Sequence, residues 1–322
     1  MTVSPETRAD AARLDASALV AKLEAQVSVV LRGKPEAVRL AVVSLLSGGH
    51  VLIEDVPGVG KTTLAQALAR SSGLAFKRIQ FTSDLLPSDV LGVSIYRQEL
   101  QRFEYVPGPI FANVIVADEI NRASPKTQSA LLEAMSEGQV SIDGKRYALP
   151  RPFFVLATQN PMEYVGTFPL PESQLDRFAM SLELGYPPRA EERGLLLSGG
   201  VDRALAELQP VLGRSELAGL QEMAGRVQVA EKLVDYMLAL AETSRSKGEF
   251  ALGISTRGVQ SWYRATQALA LTEGRTFALP DDVQRLAEAV LSHRVILKSG
   301  DGALPAARAA IGRLIASTPV PV

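Results

Sequence analysis

The chain has 322 residues, of which 47% are hydrophobic and 21% charged, and its formal net charge is -1. This composition is typical of a globular protein, and the missing excess of Lys and Arg argues against a dedicated nucleic-acid-binding surface. The absence of cysteine excludes disulfides, thiolate zinc sites and cysteine nucleophiles. We expect His50 and His293 to be ordinary packed or surface side chains, because no carboxylate cluster accompanies either of them.

The N-terminal segment is polar and acidic, without the basic and apolar regions of a signal peptide. No apolar run approaches the ~18 residues that a membrane-spanning helix requires. We therefore expect a cytoplasmic protein with no membrane segment.

Strand and helix patterns alternate in the first part of the chain. Five short apolar runs predict strands, each separated from the next by a helical or loop segment: HVLIED, AFKRIQF, NVIVADE, FFVLATQ and SLELGY. Such alternation predicts an α/β core with a five-stranded parallel sheet and helices on both faces. We assign this core to residues 1–188. Helical periodicity dominates residues 189–322, which predicts a smaller, all-helical second domain.

Two long insertions interrupt the predicted core. Alternating residues in segment 84–110 indicate a hairpin between the second and third strands of the sheet. Segment 138–153 indicates another hairpin, with Asp143 and Gly144 as its turn. Both insertions are long for connections in a compact domain, so we expect them to have a function.

The stretch EDVPGVGKTT nearly matches the phosphate-binding pattern G-x-x-x-x-G-K-[ST]. Gly60, Lys61 and Thr62 complete the pattern, but Asp55 stands where its first glycine should be. The stretch follows a predicted strand and opens a predicted helix, the context that supports such a motif. Lys61 would bring a cation to the β- and γ-phosphates, and Thr62 a hydroxyl to Mg²⁺. The alternative is a glycine-rich turn with a surface lysine.

Polar side chains follow two of the predicted strands. Asp118 is a candidate Mg²⁺ ligand, and Glu119 a candidate for polarising the water that attacks the γ-phosphate. Asn160 ends the next predicted strand, where an amide can orient that water. Each feature alone is also common at a surface turn. Together with the phosphate loop, they predict a site for nucleotide hydrolysis.

Three arginines are candidates for neutralising the γ-phosphate during transfer. Arg177 lies just before the last core strand, and Arg257 begins a helix of the second domain. Arg122, directly after the acidic pair, is a weaker candidate for an intersubunit contact. A solvated helix face is the ordinary alternative for any one of them.

From about residue 24 to 315, the chain resembles the MoxR family of AAA+ ATPases. The segments that carry the resemblance are EDVPGVGKT, VIVADEINRASPKTQSALLEAM, ATQNP, FPLPESQLDRF and STRG. The resemblance implies Walker B at Asp118 and Glu119, sensor 1 at Asn160, the arginine finger at Arg177 and sensor 2 at Arg257. It implies a Walker A loop for ATP made of Pro57, Gly58, Val59, Gly60, Lys61, Thr62 and Thr63.

The resemblance also carries expectations about assembly and partners. MoxR-like proteins form rings, usually hexamers, and are thought to be chaperones that remodel partner proteins or insert metal into them. Their partners often contain von Willebrand factor A domains. The family inserts hairpins into its second core helix and before sensor 1, where the two predicted hairpins lie. An acidic residue often replaces its first loop glycine, so we expect Asp55 to lie outside the phosphate-binding turn.

A protein-remodelling ATPase is therefore the leading hypothesis. The alternative is a nucleic-acid-tracking AAA+ motor, whose hairpin tips should be basic. Lys145 and Arg146 fit that description, but Asp143 lies beside them and the first insertion mixes both signs. These charges favour a protein substrate. A third hypothesis, a nucleotide-switch scaffold without useful turnover, requires that Glu119 does not catalyse hydrolysis.

Overall fold

A computed structural model describes residues 5–160, 166–197, 200–246, 248–299 and 304–320. Its strands are β1 Val51–Glu54, β2 Phe76–Gln80, β3 Gly92–Arg97, β4 Arg102–Pro107, β5 Val114–Asp118, β6 Gln139–Ile142, β7 Lys145–Ala148, β8 Phe154–Gln159, β9 Met180–Leu182, β10 Phe250–Leu252 and β11 Ile296–Leu297. Its helices are α1 Pro5–Val30, α2 Pro35–Leu46, α3 Lys61–Ser71, α4 Pro87–Leu91, α5 Pro125–Glu137, α6 Glu172–Leu175, α7 Arg189–Leu197, α8 Val201–Glu207, α9 Arg214–Gly225, α10 Glu231–Ser246, α11 Thr256–Thr272, α12 Pro280–Leu291 and α13 Leu304–Ser317.

Five parallel strands form the central sheet in the order β2-β5-β8-β1-β9, which confirms the predicted α/β core. The inner strands β5, β8 and β1 are almost continuously apolar, because helices cover both faces of a parallel sheet. Parallel pairing brings the carboxyl ends of these three strands to one edge. The polar residues that follow them therefore meet there.

Both predicted hairpins are present. Strands β3 and β4 pair antiparallel along their full length, as do β6 and β7. Asp143 and Gly144 have φ values of 49° and 74° at the second turn. A two-residue turn with positive φ at both positions matches the twist of its flanking strands. The two hairpins lie side by side and line a shared groove.

Helix α1 was not predicted from the sequence. Its described side chains bury Val20, Leu23 and Val27 on one face, at spacings of three and four residues. This face packs in the same apolar cluster as α3, including its Leu64 and Leu68. Alanines and charged residues flank these positions in the sequence, so the apolar stripe is narrow.

We refer to helices α7 to α13, which follow the last strand of the sheet, as the lid; its helices α9 and α11 pack on α2. One continuous apolar cluster contains Leu46 from α2 and Trp262 from α11. The fully buried Trp262 donates its indole N–H to the carbonyl oxygen of Val283 at 2.9 Å. The prediction of an all-helical second domain was wrong in one detail, because β10 and β11 form a short antiparallel pair. Strands of three and two residues are too short to produce a periodic pattern.

In the described ranges, no helix is long and apolar enough to cross a membrane.

Candidate active site

A cavity of 330 Å³ lies at the carboxyl edge of the sheet. It is bounded by the loop between β1 and α3 and by residues that follow β5 and β8. The lining residues are Pro57, Gly58, Gly60, Lys61, Thr62, Thr63, Arg78, Asp118, Glu119, Thr158 and Asn160. The structure thus brings together most of the predicted Walker A residues, the acidic pair and the predicted sensor 1.

The loop conformation depends on its glycines. Gly58 and Gly60 have φ values of 82° and 101°, in the left-handed region that favours glycine. Gly60 directly precedes α3, whose first backbone N–H groups and dipole favour an anion. Val59 does not line the cavity, because its side chain is buried in the apolar core.

Lys61 is held at the start of α3. Its ammonium donates to the main-chain carbonyl oxygen of Asp55 at 2.6 Å. Burial lowers the pKa of Lys61, and the negative charges of Asp55, Asp118 and Glu119 oppose that shift. The surrounding carboxylates therefore favour the charged ammonium that phosphates would meet.

Asp55 connects the loop to the strand on its other side. Its carboxylate accepts the backbone N–H groups of Leu184 and Gly185, each at 2.6 Å, and that of Val56 at 2.8 Å. Asp55 does not line the cavity, in agreement with the expectation that it lies outside the phosphate-binding turn. The prediction missed its structural contact, which joins the loop to the segment entering the lid.

The acidic pair is held by side chains from the neighbouring strands β2 and β8 and by Arg122, in the turn after β5. Asp118 accepts a hydrogen bond from the Thr158 hydroxyl at 2.6 Å. Glu119 has a φ of 54° and accepts from Arg122 Nε at 2.9 Å and Gln80 Nε2 at 3.2 Å. A non-glycine residue in the left-handed region marks local strain, which is common at functional sites. Arg122 therefore contacts the acidic pair of its own chain.

Sequence reasoning missed Arg78, Gln80 and Thr158. Arg78 projects from β2 and donates to Asp118 Oδ2 from Nε at 3.0 Å and from Nη2 at 2.5 Å. The pairing of β2 with β5 places Gln80 opposite Asp118. Arg78 and Gln80 lie two residues apart on β2, which places them on one face of the strand, but the sequence did not reveal which strand lies beside them.

The predicted Mg²⁺ ligands, Thr62 and Asp118, are oxygen donors that line the same cavity. Mg²⁺ prefers oxygen ligands and usually keeps several waters and substrate phosphates in its coordination shell. This donor set fits the metal. Among the described residues, no group of three or more His, Cys, Asp or Glu side chains could hold a metal ion by itself. Both histidines are packed side chains, which is one of the two alternatives expected for them.

Arg177 and Arg257 lie elsewhere. They line a second cavity, of 220 Å³, together with Gly49 and His50. These last residues precede β1, whereas the phosphate loop follows it. The structure therefore brings the two arginines together, but at the edge of the sheet opposite the loop of their own chain.

Comparisons with known proteins agree with this geometry. A family model described as "ATPase family associated with various cellular activities (AAA)" matches residues 50–180, and an AAA lid domain model matches residues 242–311. The chaperone MoxR1 of Mycobacterium tuberculosis is 43% identical, over 84% of this chain and 74% of its own. This chain belongs to the MoxR family of AAA+ ATPases.

Two further relatives support the MoxR-family assignment across the chain. The uncharacterized protein YeaC of Bacillus subtilis is 48% identical, over 88% of both chains. A crystal structure from Cytophaga hutchinsonii, described as a candidate ATPase, is 34% identical with a TM-score of 0.87 and covers 98% of both chains. This MoxR-family chain is a chaperone-like AAA+ ATPase that hydrolyses ATP.

Proposed function

We propose that this ATPase uses Mg²⁺ and ATP to remodel or activate partner protein complexes, acting as a hexameric ring. The β3–β4 hairpin carries the proposal. Phe103 is 71% exposed and Tyr96 55% exposed, and their rings contact each other edge-on. Exposed aromatic side chains on an insertion are typical of protein-binding surfaces.

The charges of this hairpin also favour a protein partner. Arg97 pairs with Glu104 across the two strands at 3.1 Å. A hairpin that tracks nucleic acid would instead present unpaired cations to phosphates. The nucleic-acid motor therefore remains the weaker hypothesis.

The chemistry follows from the residues of the first cavity. Lys61 binds the phosphates, and Thr62 and Asp118 would hold the metal, which supplies a charge that stabilises phosphoryl transfer. Glu119 accepts a proton from the attacking water, and Asn160 orients that water. Gln80 and Arg122 compete with the water for the Glu119 carboxylate.

Several finer features rest on the family resemblance alone. These are the hexameric state, metal insertion and partners with von Willebrand factor A domains. The cytoplasmic location also stays a prediction.

A trapped complex tests the proposal. The full-length Glu119→Gln variant should bind ATP without hydrolysing it, and it should retain its partner during affinity capture. Each partner found by mass spectrometry is then purified and added to the wild-type protein. We expect the partner to change the rate of ATP hydrolysis and to be altered in its own assembly or activity.

Two matched variants make the test specific. The double variant Tyr96→Ser/Phe103→Ser should lose the partner and keep its basal ATPase rate. Leu238→Ser, which removes an exposed apolar side chain from the lid, should keep both. Stimulation of the ATPase by DNA, with no effect of the hairpin variants on partner capture, would overturn the proposal.

A further inference from the structure

The second cavity is lined by a third arginine, Arg264, in addition to Arg177 and Arg257. Arg264 lies on α11, seven residues after Arg257, with Ser261 between them. Spacings of four and three residues place these side chains on one face of the helix. Arg177 reaches the same cavity from the core. A single space of 220 Å³ is therefore lined by three arginines from two parts of the fold.

The lining of the cavity provides no negative charge to offset the three arginines. None of its lining residues is Asp or Glu. Within the described ranges, Arg257 and Arg264 make no hydrogen bond and no ion pair. The buried Nε of Arg177 also has no hydrogen-bond partner there. Three adjacent cations repel one another, so such a cavity favours an anion that accepts several hydrogen bonds.

The contact between core and lid fixes Arg177 and joins the segment that carries it to the segment that carries Arg257. Arg177 donates from Nη1 to the Leu132 carbonyl oxygen and the Ser136 hydroxyl, each at 2.8 Å. The preceding residue, Asp176, accepts from Ser255 Oγ at 2.8 Å. Ser255 caps the N-terminus of α11, two residues before Arg257. This bond joins the segments that carry the two arginines, so two walls of the cavity are fixed relative to each other.

The position of the cavity decides which anion it can meet. Strand β1 separates it from the phosphate loop of the same chain, because His50 precedes the strand and Gly58 follows it. In a head-to-tail assembly, one edge of each subunit faces the opposite edge of the next. The cavity is then presented to the nucleotide of another copy.

The family resemblance already implies that Arg177 is the arginine finger and Arg257 sensor 2. We propose that Arg264 joins them as the third arginine of one receptor for the γ-phosphate of ATP bound to the neighbouring copy, and that it is a catalytic residue supplied in trans from the lid. This inference rests on the proposed ring. A planar guanidinium donates two parallel hydrogen bonds to phosphate oxygens, and an arginine supplied in trans accelerates phosphoryl transfer by on the order of 10³-fold or more. The lid thereby takes part in the reaction of the next subunit.

Kinetics of the full-length protein test the role of Arg264. Arg264→Ala should lower kcat at least about tenfold, because part of the transition-state charge stabilisation is lost. Binding of a fluorescent ATP analogue to its own loop should change less than about twofold. Arg264→Lys should recover part of the rate. Arg226→Ala removes an exposed arginine of the lid that pairs with Glu222, and it should behave like wild type.

Mixing experiments determine whose nucleotide Arg264 serves. Arg264→Ala mixed with Glu119→Gln should gain activity, because some interfaces combine an intact hydrolysis site with an intact receptor. Arg264→Ala mixed with Arg177→Ala should gain none, because every interface then has a defective receptor. Native mass measurement verifies that mixed assemblies form.

The outcomes separate this inference from the proposed ring. If Arg264→Ala gains activity with Arg177→Ala but not with Glu119→Gln, Arg264 acts on its own nucleotide and the inference is wrong. A wild-type kcat for Arg264→Ala also overturns it. A gain of activity when Arg177→Ala is mixed with Glu119→Gln supports the ring. If the Arg264→Ala mixtures then differ from the expectation, only the proposed role of Arg264 is wrong. If no mixture gains activity, the ring fails too.

Discussion

Asp55 stands where the phosphate-binding pattern has a glycine, and its side chain makes a contact that a glycine could not make. Its carboxylate accepts three backbone N–H groups. Two of these belong to Leu184 and Gly185, at the exit from β9. The Lys34 ammonium donates to the carbonyl oxygens of Val59, at 2.9 Å, and Gly185. The loop is thus fixed by one anion and one cation.

We expect Asp55→Ala to lower the free energy of unfolding by about 2–4 kcal/mol, because partly buried N–H groups lose their acceptor. Asp55→Asn should lose less, since its one carbonyl oxygen still accepts. Chemical denaturation measures both values. Asp235→Ala, which changes an exposed carboxylate on α10, is the matched control. Equal stabilities for Asp55→Ala and this control would contradict the structural role.

Arg78 lines the same cavity as the predicted metal ligands Thr62 and Asp118. Its guanidinium contacts Asp118 and Gln80, so it competes with any cation that Asp118 binds. Arg78→Gln should lower the Mg²⁺ concentration that gives half-maximal hydrolysis, by up to about fivefold, because an exposed ion pair contributes about 0.2–1 kcal/mol. A Mg²⁺ titration at saturating ATP measures this shift. An increase in the required Mg²⁺ would show that Arg78 assists metal binding instead.

At the scale of elements, the sequence predicted those features that leave local patterns. All five sheet strands were predicted, and the signal was strongest for the inner strands β1, β5 and β8, which are almost continuously apolar. The turn at Asp143 and Gly144 was predicted from its residue types. Arg78 was missed because its role depends on β2 lying beside β5, and strand order has no local signature. Arg264 was missed for a similar reason, since only the docking of α11 on the core brings it beside Arg177.

The lid docks on the core through a buried ion pair. The side chain of Arg294 is fully buried and donates to Asp176 Oδ1 at 2.7 Å. It also donates to the carbonyl oxygen of Phe178. Burial lowers the pKa of Arg294 to about 10, and Asp176 opposes that shift. The pair lies next to Arg177, so it affects both stability and the second cavity.

We expect Arg294→Met to destabilise the protein by about 3–5 kcal/mol, because the removal of one partner leaves a buried charge unpaired. Asp176→Asn should destabilise it for the same reason. The double variant should lose less than the sum of the two, and this difference measures the coupling between them. Denaturation of the four proteins gives all the values. Strict additivity would mean that the two side chains do not stabilise each other.

For the whole molecule, the two histidines connect stability to pH. His50 is buried at the start of β1, where it donates to the Met135 carbonyl oxygen at 3.1 Å and accepts the Val155 N–H at 3.2 Å. His293 donates to the Phe178 carbonyl oxygen at 3.0 Å. Burial lowers the pKa of His50 to about 4. Burial, with the nearby charge of Arg294, lowers that of His293 to about 3.

Both rings stay neutral in the folded protein, whereas the unfolded chain binds their protons near pH 6.5. The contribution of the two neutral histidines to the free energy of unfolding is therefore fully present above that pH and is lost as the pH falls below it. At pH 5.5, each histidine should lower the free energy of unfolding by about 1.4 kcal/mol. Fluorescence of the single tryptophan, the fully buried Trp262, can follow unfolding at pH 7.5 and 5.5. The variant His50→Gln/His293→Gln should be less stable at pH 7.5 but should lose about 2–3 kcal/mol less between the two pH values. Equal losses in the variant and the wild type would show that other groups cause the pH dependence.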